Sequence, residues 1–121
     1  GGSGVVYVSV SQTGSLQSSM TLISDTFTAN STPSKARIVV FAELPDGTSD
    51  FAVSATRDNT TFNTITLTDE GYETGSSGIK VFTGSTPLTG SASPQVRMRW
   101  KIVGSSLTGN NKIHGVSLQW S

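Results

Sequence analysis

QVRMRWKIV, residues 95–103, alternates without interruption. Val96, Met98, Trp100 and Ile102 fall on one side, and Gln95, Arg97, Arg99 and Lys101 on the other. Side chains alternate across a strand with period two, so this stretch predicts a strand with one face in a core and one in water. On a helix the same order would scatter cations and large apolar groups around the axis.

The same period recurs on either side of it. VVYVSV (5–10) is a short β-branched run, and MTLISDTF (20–27) sets Ile23, Asp25 and Phe27 against Met20, Leu22 and Ser24. ARIVVFAEL (36–44) is apolar on both faces at its centre, as expected of a buried central strand. FAVSATR (51–57) puts Phe51, Val53 and Ala55 together, and FNTITLTD (62–69) puts Ile65 and Leu67 together. IKVFTG (79–84) follows the Gly/Ser stretch EGYETGSSG (70–78), which reads as a loop. KIHGVSLQW (112–120) closes the chain, with His114, Val116, Leu118 and Trp120 predicted on one face toward the core. Pro, Gly, Asn and Ser clusters separate the runs. About eight strands and no helix predict an all-β, antiparallel β-sandwich, preferably a jelly-roll, with an immunoglobulin-like sandwich as the alternative. No repeat and no internal linker divides the chain, so residues 1–121 read as one domain. The opening GGSG, residues 1–4, reads as a linker, either appended or the cut end of a longer polypeptide.

Composition excludes several functions. The 121 residues carry 8 Lys+Arg and 8 Asp+Glu, so the basic excess of a phosphate-neutralising surface is missing and nucleic acid is not an expected partner. With no cysteine there is no disulfide, thiol nucleophile or Cys-ligated zinc. No window approaches the ~18 apolar residues that cross a bilayer, so membrane insertion is not expected. A single histidine, His114, gives neither a usual zinc site nor, on a core face, the relay of a catalytic triad. DGTSD (46–50) gathers two carboxylates at one turn, which could take calcium, but lacks the dense acid spacing of a calcium loop; a plain turn is the preferred reading. No cofactor or metal is expected.

TRDNTTF (56–62) approaches the Asp-box pattern S/T-x-D-x-G-x-T-[W/F] of sialidases, one residue short and without its glycine. In that motif the carboxylate bonds backbone N–H groups of its own turn and the aromatic packs beneath it. Asp58 is therefore read as the acceptor that holds a tight turn and Phe62 as an anchor in the core. Asp69, Glu70 and Glu73 cluster in the Gly-rich stretch, where charges are ordinarily solvated, and nothing sets a glycosidase pair of carboxylates. The chain is not expected to be an enzyme. The sequons at Asn30 and Asn59 are what chance gives a Ser/Thr-rich chain.

TRDNTTFNTITLTDEGY (56–72), IKVFTGSTPLTG (79–90), RMRWKIV (97–103) and KIHGVSLQW (112–120) together resemble a β-sandwich domain of structural proteins of tailed bacteriophages. The resemblance runs from about Thr21 to Ser121 and is most specific in TLTDEG and the final nonapeptide. Family members carry an SRDGGTTW hairpin where this chain has a shortened DNTT. The resemblance implies a virion protein, tail-fibre-like or otherwise surface-exposed, located on the particle, with other virion proteins as partners and a homo-oligomer, a trimer, as its assembly. It brings no catalytic residue.

A Ser/Thr-rich, weakly charged surface suits host-surface polysaccharide, bound through hydrogen bonds and an aromatic platform. The candidate ligand-binding residues are Tyr72 and the stripe Arg97, Arg99 and Lys101. Each has a plainer role: Tyr72 packing back onto the sheet, and the stripe as a solvated face that discourages edge pairing. The stripe could also meet Glu43 or Glu70 of a neighbouring subunit. The alternatives are an architectural capsid-decoration module with no ligand, and a cellular carbohydrate-binding module or adhesin subunit. The last would need Trp100 and Trp120 in a solvent-facing row, whereas their parity places them in the core.

Overall fold

The computed structural model describes residues 4–12, 19–29, 32–45, 47–49, 51–75, 78–91, 97–105 and 111–121. They form ten strands and, among the described residues, no helix: β1 Gly4–Gln12, β2 Ser19–Ile23, β3 Phe27–Thr28, β4 Lys35–Glu43, β5 Phe51–Thr56, β6 Asn63–Ile65, β7 Thr68–Tyr72, β8 Lys80–Pro87, β9 Arg97–Ser105 and β10 Lys112–Trp120. All the strand pairings are antiparallel. Sheet A runs β1-β10-β4-β8-β7 and sheet B runs β2-β9-β5-β6, with β3 also pairing β9. The two sheets pack as a β-sandwich. Its pairings are nested, β1 with β10, β2 with β9, β4 with β8 and β5 with β6, as in a ribbon folded back on itself.

The core is what the alternation in β9 requires. Met98, Trp100 and Ile102 are buried and face Ile38, Val40, Val116 and Leu118 of sheet A. Both tryptophans are inside, Trp100 at 2% and Trp120 at 8% exposure. Arg97 is exposed and Arg99 and Lys101 are half-buried on the outer face; Gln95 and Val96 lie outside the described residues.

Four readings of the sequence are corrected. MTLISDTF is not one strand. It breaks after β2, where the Ser24 hydroxyl accepts from the Trp100 N–H at 3.1 Å and the Ser24 N–H donates to the Trp100 carbonyl at 3.1 Å. FNTITLTD is also divided. β6 ends in sheet B, and the chain crosses to sheet A as β7 directly over Gly84 of β8, where an added Cβ would collide with the Thr66 carbonyl and the Ile65 side chain.

The stretch read as a loop from residue 70 begins as strand. Glu70, Gly71 and Tyr72 belong to β7, the edge strand of sheet A, whose pairing with β8 shifts register between Asp69 and Tyr72. His114, finally, is not on the core face. Ile113 pairs Ala42 and Gly115 pairs Phe41, which leaves His114 as an extra residue in a β-bulge. The bulge resets the parity, so that Ile113 and Val116 both point inward while the His114 side chain stays 34% exposed.

Candidate functional site

Two polar regions stand at opposite ends of the sandwich, as the register shows. Lys35 faces Pro87 at one end of the β4–β8 ladder, and Ala42 faces Lys80 at the other, where Glu43 also faces Lys112.

At the first end is the turn of TRDNTTF. The Asp58 Oδ1 accepts from the Thr56 hydroxyl at 2.9 Å, the Thr60 N–H at 2.9 Å and the Thr61 N–H at 2.7 Å. The fully buried Thr56 in turn accepts from the Asn59 N–H at 3.0 Å. Asn59 takes the left-handed backbone, φ 63°, that the shortened turn demands and that asparagine tolerates better than most residues. Partial desolvation works against the Asp58 charge, but the backbone N–H groups of Thr61 and Thr60 and the hydroxyls of Thr56 and Thr61 outweigh it, lowering the carboxyl to about 2.

Arg57 fastens this turn to two other segments. It donates from Nε and Nη2 to the Gly90 carbonyl at 3.1 and 2.8 Å, and from Nη1 to the Pro33 carbonyl at 2.8 Å. Gly90, at φ 100°, lies so close that a Cβ there would strike the Asp58 carboxylate. The role read for Asp58 is the one the structure shows. Phe62 is different: it is not a core anchor. It shares parity with Thr64, opposite Ile65, and lies half-exposed on the outer face of sheet B with the Lys101 Nζ 4.1 Å from its ring centroid.

At the other end is an open cleft of about 440 Å³ lined by Glu43, Leu44, Pro45, Tyr72, Gly78, Lys80 and Lys112. Tyr72 is 61% exposed, with the Lys80 Nζ 5.1 Å from its ring centroid. Lys80 also pairs with Asp69 at 2.8 Å. That hydrogen bond, reinforced by the Gly71 N–H, holds the Asp69 carboxyl below its ordinary value, and the same bond raises Lys80. Glu43 Oε2 lies 2.9 Å from His114 Nε2 and 4.0 Å from Lys112 Nζ. Its other oxygen faces Gly78, where a Cβ would crowd it.

The candidate residues named from sequence do not form one site. Tyr72 is on the edge of sheet A, whereas Arg97, Arg99 and Lys101 are on sheet B. The structure adds Glu43, Lys80, Lys112 and His114 around Tyr72. The cleft combines one exposed aromatic face, two ammonium donors and one carboxylate acceptor, a set suited to a neutral or weakly charged polyhydroxylated ligand. Within one chain the stripe does not reach Glu43 or Glu70: Glu43 is held by His114 and Lys112, and Glu70 accepts from the Thr83 hydroxyl at 3.3 Å.

Of DGTSD, Asp46 and Asp50 lie outside the described residues. The rest is a turn in which the Gly47 N–H donates to the Leu44 carbonyl at 2.9 Å and the Phe51 N–H to the Thr48 carbonyl at 3.0 Å. Among the described residues no group of three or more His, Asp or Glu is placed to hold a metal ion, and no helix is long and apolar enough to cross a membrane. Comparison with protein-family models, curated proteins and solved structures finds no match to this chain.

Proposed function

We propose that this chain is a structural domain of a bacteriophage virion, displayed on the particle surface, that holds a host-surface glycan in the Tyr72 cleft. The observation that carries the ligand reading is Tyr72 itself. A large aromatic ring left 61% exposed beside a cleft of about 440 Å³ offers a flat apolar face on which a sugar ring can stack. Lys80, Lys112 and Glu43 supply donors and an acceptor around it. The virion assignment rests on the resemblance of TRDNTTF, TLTDEGY and KIHGVSLQW to phage structural domains, and the nested strand order supports the jelly-roll form of sandwich. A binding role rather than a catalytic one fits a cleft lined, among the described residues, by one carboxylate, since glycoside hydrolysis ordinarily uses two.

The test is binding to a glycan array and to whole bacterial cells, with Tyr72→Ala as the comparison. Binding that falls at least about tenfold in the variant, with an unchanged melting temperature, supports the reading. Equal binding by both proteins, or none by either on any host, removes the cleft as a ligand site.

One observation favours the architectural alternative. The charges of the cleft are already engaged, Lys80 with Asp69 and Glu43 with His114, so that none waits for a ligand. A protein that joins other virion proteins and binds no cell or glycan would establish that alternative.

A further inference from the structure

Among the described residues, two sets of charges make no ion pair: Arg99 and Lys101 on the outer face of sheet B, and Glu70 and Glu73 at the edge of sheet A. Lys101 rests on the Phe62 ring, and the Arg99 Nη1 donates to the Asn59 Oδ1 at 3.0 Å. A carboxylate is the partner whose geometry suits the guanidinium fork. Arg97 continues the row, and Ile23, 48% exposed and directly opposite Lys101 on β2, gives the face an apolar element.

The complementary set lies on β7, the free edge of sheet A. Glu70 accepts from the Thr83 hydroxyl, and among the described residues neither it nor Glu73, just beyond the strand, makes an ion pair. The chain has equal numbers of acidic and basic groups, so the missing countercharges are a matter of arrangement. The two sets lie on different sheets and do not reach each other within one chain.

We infer that the acidic β7 edge of one copy of this chain docks on the basic outer face of β9 of the next, with Arg99 as the anchor for Glu70 or Glu73. Two different patches make a head-to-tail contact, which closes into a ring when the rotation permits and otherwise continues as a filament. The contact also covers an unpaired strand edge, which otherwise invites indiscriminate pairing. Glu70 and Glu73 do not line the cleft, but Tyr72 between them does, so a copy docked on this edge competes with a ligand there. Salt dependence and charge reversal read association alone and leave the glycan reading to its own assay.

Sedimentation velocity tests it. Going from about 20 mM to about 500 mM salt shortens the screening length from about 20 Å to about 4 Å, so the wild-type assembly should form at low salt and dissociate at high salt. The variant Arg99→Glu with Lys101→Glu carries two acidic patches, and Glu70→Lys with Glu73→Lys carries two basic ones. Each alone should be monomeric, and an equimolar mixture should associate again. Melting temperatures check that the variants fold. Should either unfold, the neutral pair Arg99→Gln with Lys101→Gln replaces it and should weaken association about tenfold.

A wild type that is monomeric at low salt, an assembly indifferent to both reversals, or a mixture that stays monomeric would overturn the inference. So would a monomeric wild type that is retained on an immobilised acidic polysaccharide and released by Arg99→Glu, which would give that face to a saccharide.

Discussion

The two polar ends of the sandwich use similar residue types and are wired differently. Around Asp58 the bonds run mainly to backbone: the Thr60 and Thr61 N–H groups on the carboxylate, and the Gly90 and Pro33 carbonyls on Arg57. Backbone partners are already fixed by the fold, so the side chains there gain bonds at little further entropic cost, and they close three chain segments into a knot. Around Tyr72 the bonds run between side chains, Lys80 with Asp69 and His114 with Glu43, and all four are substantially exposed. Exposed ion pairs contribute little to stability and exchange readily with solvent or a ligand. The first end holds the fold, and the second contributes little to it.

The largest effect that should sharpen this contrast is at Gly90. Gly90→Ala places a Cβ against the Asp58 carboxylate at a backbone angle that alanine rarely adopts. It should cost about 2–4 kcal/mol in chemical denaturation. A loss below about 1 kcal/mol would show that the knot is loose.

Asp58→Ala comes next, at about 2 kcal/mol, because it strips an acceptor from three donors at once. Combined with Gly90→Ala it should cost less than the sum, since both act on one contact.

A smaller effect is set by pH. The Asp58 carboxyl titrates near 2 in the folded chain against 3.8 for the ordinary group. Its contribution is therefore complete above about pH 4 and is lost as pH falls toward 2; it amounts to about 1–2 kcal/mol after solvent screening. Asp69 is lowered in the same direction and adds to the same acid limb. Denaturation midpoints measured across this range should fall for the wild type and flatten in Asp58→Asn.

The smallest effect belongs to the cleft. Tyr72→Ala and Glu43→Gln should each change stability by less than about 0.5 kcal/mol in the same assay. A large loss at either position would erase the distinction between the two ends.

How far the sequence reached depended on whether a feature is local. The strand character of QVRMRWKIV, the burial of Met98, Trp100, Ile102 and Trp120, and the role of Asp58 follow from spacing alone, because a strand's parity and an Asx turn involve residues only a few positions apart. The same parity places Phe62 beside Thr64 on the outer face, yet the Asp-box analogy points it inward; in this chain the shortened turn leaves it under Lys101. Arg57 gives no local sign of its importance, since its partners at Pro33 and Gly90 are 24 and 33 residues away.

The sequence by itself determined an all-β chain, its alternating faces, its turns and the residues that fill its core, since these depend on the period of the hydrophobic pattern and on local turn chemistry. Only the tertiary structure decided the rest. A one-residue bulge in β10 moved His114 from the predicted core face to Glu43, 71 positions away. The crossing of the chain from β6 to β7 turned a predicted loop into the edge strand that carries Tyr72. Register and strand order are set by which sheets bury each other, and the cleft exists because β4, the β7–β8 pair and β10 end at the same place.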